Sequence, residues 1–391
     1  MENIISKRIR QYRLARGMSL DDLAASMGGI VSKMALSKYE RGLMLPTNRV
    51  TEAIAKVLNV KMIDLLSAPD FKVEFMGYRK GSRLRNSDKE SIQGEVLVKL
   101  EERMKIQHLL YSDKKPNLPE RRKINSYDEV EQIAADLREL WELGMAPIKN
   151  LTEVLEQNFI HVIFLECEKA FDGISTRIYS SDGELKAVAV VSRKNIAGGR
   201  QRLNLAHELG HILMDVDNEL DKEKAAFRFG AALLAPAREM YKLAGRKRNR
   251  FLLEELLLMK RFFGISIQAL ITRLVDLEIL SENSASFWYK LINIKGWKKE
   301  EPEKLPEEDS TWLETNAMRA YSEGLISSEE ASFMLGREIG EKINSMIKRR
   351  EFLKLAKEER ERILKEQSEK WLDYYEKEDE WKESGGALAE Y

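Results

Sequence analysis

His207 and His211 can reach one metal ion together only if the stretch His207-Glu208-Leu209-Gly210-His211 is helical. At 3.6 residues per turn, positions i and i+4 lie about 40° apart around the axis and one turn apart along it, so both imidazoles project from one face. Glu208 stands beside them. Two histidines bracketing a glutamate in this pattern suit a zinc site whose intervening carboxylate serves as general base for attack of water on a peptide carbonyl. The motif therefore predicts a metallopeptidase loaded with one Zn²⁺, with Mn²⁺ as the alternative ion. Such a site needs a third protein ligand and an open fourth position. Asp215, Asp217, Glu219, Asp221 and Glu223 follow downstream, and spacing alone does not choose among them.

Cys167 is the only cysteine, so an intrachain disulfide framework and any multi-cysteine zinc cage are excluded. Without a local histidine or motif to activate it, Cys167 is expected to be a buried structural thiol. With 391 residues the chain has room for several domains, and 33% charged against 43% hydrophobic residues suits a soluble, helix-rich protein. No apolar run approaches the length of about 18 residues that a membrane helix needs, and the first residues lead into a basic amphipathic helix rather than an apolar signal core. A cytoplasmic protein without membrane contact is expected. Net charge is zero, but residues 1–125 hold 25 Lys/Arg against 15 Asp/Glu, which leaves the remainder at −10. A basic front suits a nucleic-acid-facing N-terminus.

The first 68 residues read as five short helices. Ile5, Ile9, Tyr12 and Leu14 stripe the first, which Gly17 stops. Ser19 offers a cap to the second, Gly28-Gly29 makes a turn, and Ser32 caps a third that ends at Arg41-Gly42. Arg49 to Leu58 and Met62 to Leu66 supply the last two. Short helices two and three joined by a glycine-bearing turn form a helix-turn-helix, whose second member lies in the DNA major groove.

Residues 69–125 contain Arg79, Lys80, Arg83 and Arg85, a helical stretch from about Lys89 to Leu110, and breaks at Pro116 and Pro119. They read as a basic linker helix and hinge. Beyond them, Tyr127 to Leu143 and Leu151 to Gln157 are helical. Runs at Phe159 to Leu165, Gly173 to Tyr179 and Ala187 to Val191 suggest a small antiparallel sheet on which the His-pair helix packs through Leu203, Leu205, Ala206, Leu209, Ile212 and Leu213. Further helices are expected at Arg248 to Met259 and Gly264 to Asp276. Glu300 to Glu308 reads as a second linker. Helices then resume at Trp312 to Tyr321, Ser327 to Leu335, Gly340 to Leu355 and Glu359 to Glu376, before a frayed end from Glu383 to Tyr391.

Two resemblances sharpen this reading. Ser19-Leu20-Asp21-Asp22-Leu23-Ala24, Leu36-Ser37-Lys38-Tyr39-Glu40-Arg41-Gly42, Pro46 and Ile54 to Val60 resemble the Cro/C1-type (XRE) repressor family. That resemblance implies that Lys33, Met34, Ser37 and Lys38 face base edges of double-stranded DNA and that Arg41 lies near its backbone. Leu20 departs from a glutamine frequent in the family, and Gly29-Ile30 lengthen the turn. The second resemblance rests on the histidine motif, Glu223 to Pro236, Asp136-Leu137-Arg138-Glu139-Leu140-Trp141, Phe171-Asp172-Gly173, Arg200-Gln201-Arg202 and Gly264 to Leu270. These are similar to ImmA/IrrE-type zinc metallopeptidases and to chains that fuse such a domain to an XRE domain. On that register Glu223 is the third ligand, with Glu219 next in line, and Glu208 the base. Phe227 and Ala232 depart from the family's usual residues, while His108 and His161 lie outside the constellation.

The fold expected is mainly α with a small α+β peptidase domain: a helix-turn-helix domain at 1–68, a basic linker helix at 69–125, the metallopeptidase at 126–298 and a helical C-terminal region at 299–391. The resemblance implies a DNA-binding regulator that cleaves a protein, a transcriptional repressor in stress or mobile-element control. A non-proteolytic regulator or toxin–antitoxin component that senses a ligand or partner is the alternative. A homodimer is compatible with either.

Overall fold

The structure is a computed structural model that describes residues 4–76, 84–167, 171–339, 352–362 and 364–365. The basic residues Arg79, Lys80 and Arg83, most of the helix expected at 340–355, the end of the one expected at 359–376 and the tail from 383 lie outside the described residues. The chain divides into two compact units, Met1–Trp312 and Leu313–Tyr391.

Five helices open the first unit: α1 (Ile4–Ala15), α2 (Leu20–Ser26), α3 (Lys33–Glu40), α4 (Asn48–Val57) and α5 (Met62–Leu66). Their ends follow from local chemistry. Ser19 and Asp22 close a reciprocal capping box on α2, and the Ser32 and Thr47 hydroxyls accept from Ala35 and Val50 at the starts of α3 and α4. The longer turn between α2 and α3 is accommodated by Gly28 and Gly29, both at positive φ. Ile9, Leu23, Leu36, Ile54, Leu58 and Leu65 form the core, and Leu20 packs against it.

The segment expected as a linker is instead part of the folded unit. It contributes strand β1 (Phe71–Met76) and the long helix α6 (Asn86–Tyr111). One face of α6 buries Ile92, Val96 and Leu100 against the sheet described below. The other clamps α1: Glu101 receives both Nη groups of Arg8, with Gln11 and Tyr12 also donating to it. At Gly94 an added Cβ would sit 3.0 Å from the Gln11 carbonyl oxygen, so helix backbones meet there. A basic count did not reveal this role because the residues that dock α6 are its apolar stripe and one glutamate.

The remaining elements of this unit are β2 (Arg122–Ile124), α7 (Tyr127–Leu140), α8 (Leu151–Gln157), β3 (Ile160–Leu165), β4 (Gly173–Ser180), β5 (Leu185–Arg193), α9 (Gly198–Leu213), β6 (Met214–Val216), α10 (Lys222–Leu234), α11 (Ala237–Ala244), α12 (Leu253–Phe263), α13 (Ile267–Asp276) and α14 (Glu282–Ile294). The helix expected from Arg248 thus starts only at Leu253, since Arg248 bridges to Leu280. The main sheet has the order β1-β4-β5-β3. Its β4–β5 pair is antiparallel, as the turn at Asp182-Gly183 requires, its β1–β4 pair is antiparallel too, and β3 joins β5 in parallel. A two-stranded parallel pair, β2 with β6, lies just after the His-pair helix.

Glu300 to Glu308, expected as a linker, is a strap held by buried charge. Lys260, fully buried, donates to Glu301 at 2.8 Å and to the Pro302 carbonyl. The Glu308 carboxylate accepts from the Leu151 and Thr152 N–H groups at the start of α8 and from Arg202 on α9. The strap lies so close to α9 that a Cβ on Gly198 would fall 1.8 Å from the Pro306 carbonyl oxygen. The second unit contains α15, which begins at the boundary (Trp312–Ser322), and α16 (Ser328–Leu335), the latter started by a Ser327–Glu330 capping box, and residues 352–354 and 357–362 are also helical.

Candidate metal centre and nucleic-acid face

The His-pair helix α9 is buried along nearly its whole length, because its two long sides are covered by different partners. Along one side runs β4. Arg200 in the first turn of α9 pairs with Asp172 at 2.6 Å, Asn204 donates to the Asp172 carbonyl, and Arg177 of β4 donates to the Ile212 carbonyl near the last turn. On the other side α10 crosses at glycines: a Cβ on Gly230 would lie 3.1 Å from the His207 backbone nitrogen, and one on Gly210 3.0 Å from the Phe229 ring. Only small residues allow this approach. It carries the first turn of α10, and with it Glu223, to the His pair.

The outcome is a three-residue cluster of His207, His211 and Glu223, whose potential ligand atoms all lie within 4.8 Å of one another. The two Nε2 atoms are 3.0 Å apart, and Glu223 Oε2 and Oε1 stand 3.4 and 3.5 Å from Nε2 of His207 and His211. Ligand atoms about 2.0–2.1 Å from a tetrahedral centre are separated by about 3.3 Å, so two imidazole nitrogens and a carboxylate in this arrangement fit Zn²⁺. Of the other downstream acids, Asp221 is engaged in capping α10, accepting from the Glu223 and Lys224 N–H groups. Asp217 accepts from the Glu219 N–H, and Asp215 and Glu219 are exposed. None of them joins the cluster.

Glu208 is buried on the β4 side of α9. An added Cβ on Gly173 would lie 2.8 Å from its Oε1 and 2.9 Å from its Cγ, so the bare backbone of Gly173 is what gives this carboxylate its place. Phe227 lays its ring with the centroid 4.0 Å from that of the His207 ring, against which it packs. A cavity of about 500 Å³ adjoins the cluster, bordered by His211, Glu223, Asp215, Arg121 and Met76. The last two come from outside the motif, and no sequence pattern marked them. His161 is buried and bonded to Gln107, outside the three-residue cluster, and burial pushes its pKa well down. Cys167 is half-buried, its thiol pushed up to about 12 chiefly by burial, which leaves it unreactive.

At the other end of the chain, α3 turns Lys33, Met34 and Lys38 outward, Arg41 follows in the exposed turn, and Ser37 is half-buried beside them. Met34 is 73% exposed, which makes it a surface methionine rather than a core one. Lys33 is held across the turn by Asp21 of α2 at 2.5 Å.

Family models match these two regions. Residues 9–65 match a helix-turn-helix family and residues 178–275 an IrrE N-terminal-like domain. The chain is also 40% identical over 68 residues, 17% of its length, to the HTH-type transcriptional regulator SinR of Bacillus licheniformis. It covers 60% of the length of that relative. Among the described residues no helix is long and apolar enough to cross a membrane.

Proposed function

We propose that this chain, an XRE-type helix-turn-helix domain fused to an ImmA/IrrE-type domain, is a DNA-binding regulator whose second domain is a zinc-dependent endopeptidase. The observation that carries the reading is a three-donor cluster with a buried glutamate next to it that is not one of the donors. A site that only held a metal for structure would be closed by four protein ligands and would have no use for a base. In this reading His207, His211 and Glu223 hold the ion, which when bound supplies Lewis acidity toward water and a peptide carbonyl. Glu208 takes the proton from the attacking water and passes it to the leaving amine. Gly173 keeps that carboxylate in place, and Phe227 packs against the His207 ring. The substrate is a protein, and a repressor bound near the same DNA is the reading that the fused domains favour.

Metal loading and proteolysis measured together test the assignment. Dialysis against a chelator is expected to abolish cleavage of a co-expressed repressor, and one equivalent of Zn²⁺ to restore it. Cleavage that survives complete metal removal would overturn the reading. Metal binding without cleavage of any candidate would favour a sensor or toxin–antitoxin component.

The DNA face is tested separately. Lys33→Ala with Lys38→Ala removes two cations from the exposed side of α3. Removing two cations from the DNA-facing side lowers the number of counterions released on binding, so the double variant should bind duplex DNA at least tenfold more weakly and with a flatter slope of log K against log salt. An unchanged slope would mean that another surface meets DNA.

A further inference from the structure

The sheet edge that flanks Glu208 is already occupied by the chain itself. β4 is the strand that runs along α9, and its one edge not paired with β5 is paired with β1. The register runs from Phe71 opposite Ser180 to Met76 opposite Ser175. β1 is therefore antiparallel to β4, and its described residues reach Met76 opposite Ser175, two residues along β4 from Gly173, the residue packed on Glu208. Met76, at that end, borders the cavity shared with His211 and Glu223. We propose that β1 is a built-in competitor for an extended peptide substrate: a strand that fills the docking edge beside the metal centre and must be displaced for a peptide to add to β4.

Three observations support a displaceable strand rather than a fixed one. None of its six residues is buried, whereas all six of β3 are. It is held by backbone pairing, by a long hydrogen bond from the Tyr179 hydroxyl to Glu74, and by Phe71, Val73 and Phe75, which pack half-buried on the cluster around α6. And it does not belong to the continuous run of elements that builds the metal centre, because only Ser67 to Asp70 separate it from α5 of the helix-turn-helix domain. An unpaired strand edge is a template for any extended chain, since the main-chain hydrogen bonds are offered whatever the sequence. A tethered strand competes at high effective concentration, so a free peptide docks only when it binds more strongly or when β1 is withdrawn. The proposal rests on the peptide-substrate reading given above.

The test uses the full chain and a fluorescein-labelled peptide copying residues 71–76, with binding followed by anisotropy and hydrolysis recorded in parallel. Lys72 and Tyr179 stand opposite each other in the β1–β4 register, so Lys72→Cys with Tyr179→Cys allows the strand to be locked by oxidation. The oxidised form is expected to bind the peptide at least tenfold more weakly than the same variant reduced. Phe75→Asp, which removes one apolar anchor of β1, is expected to bind it at least tenfold more tightly than the unaltered chain. Equal affinity in the oxidised and reduced forms overturns the proposal, because the peptide must then dock elsewhere, such as the outer edge of β1. Should Phe75→Asp fail to fold, the oxidised and reduced forms decide the matter alone. Binding does not depend on catalysis. A peptide that obeys the lock but is never cut removes the peptidase reading and leaves β1 as the occupant of the edge. A peptide cut equally fast by locked and unlocked forms does the reverse.

Discussion

Glu208→Gln is expected to bind metal as the unaltered chain does and to lose peptide hydrolysis by roughly 10²–10⁴-fold, the usual contribution of a positioned general base. Glutamine keeps the size and shape of the side chain, which matters because Gly173 leaves no slack around it. What it loses is the ability to accept and return a proton. The loss should fall on kcat with KM nearly unchanged, since Glu208 acts on the reacting proton and not on remote parts of the substrate. Metal content should stay at one ion per chain, because Glu208 is not among the three clustered donors. Glu223→Ala supplies the contrast: it should lose the metal and the activity together. A Gln form that still cleaves at the wild-type rate would remove the base assignment, and one that arrives without metal would make Glu208 a ligand.

The parts of this arrangement that sequence reasoning reached are those written into a single helix. Spacing alone places His207 and His211 on one face of α9, and capping residues place α2 and α3. The choice of Glu223 over Glu219 was not legible from spacing, because it depends on how closely α10 crosses α9. That distance is set by Gly210 and Gly230, which face a phenylalanine ring and a helix backbone contributed by another stretch of chain. The same limit hid β1 and the 300–308 strap. Half-buried and exposed residues alternate only from Phe71 to Phe75, next to a run of arginines, and the strand's partner lies about a hundred residues away in sequence. Apart from Leu305 and two prolines the strap is charged, so a hydropathy pattern reads it as solvent-exposed. It is docked by Glu301 and Glu308, each matched to a buried cation on another element. Long-range pairing of charge leaves no periodic trace in a sequence.

Glu131→Ala is expected to cost about 3–5 kcal/mol of stability, the price of stranding a buried cation. Arg273 of α13 has no solvent exposure. Its two Nη groups donate to the two carboxylate oxygens of Glu131 on α7 at 2.5 and 2.8 Å, and its Nε to the Ala235 carbonyl. Arg228 of α10 donates to the same carboxylate at 3.0 Å. One carboxylate thus ties α7, α10 and α13 together, and α10 is the helix that carries Glu223. For a unit of this size the loss corresponds to a fall in Tm on the order of 10 °C, and Zn²⁺ affinity should drop with it as α10 loosens. Burial works against charge on Glu131, but the hydrogen bonds and charge of Arg273, then of Arg228, overcome it and hold its pKa below the ordinary carboxylate value of 4.5. A carboxylate depressed in the folded state contributes stability that is present above its unfolded pKa and is lost as pH falls through the folded value. The gap between the unaltered chain and Glu131→Ala should therefore be full at pH 7 and shrink as pH falls below about 4.5. Denaturant unfolding at pH 7 and at pH 3.5 would show it. A cost under about 1 kcal/mol at pH 7 would mean that solvent reaches Arg273 once its partner is gone, and that α10 is held to the His pair by the glycine crossing alone.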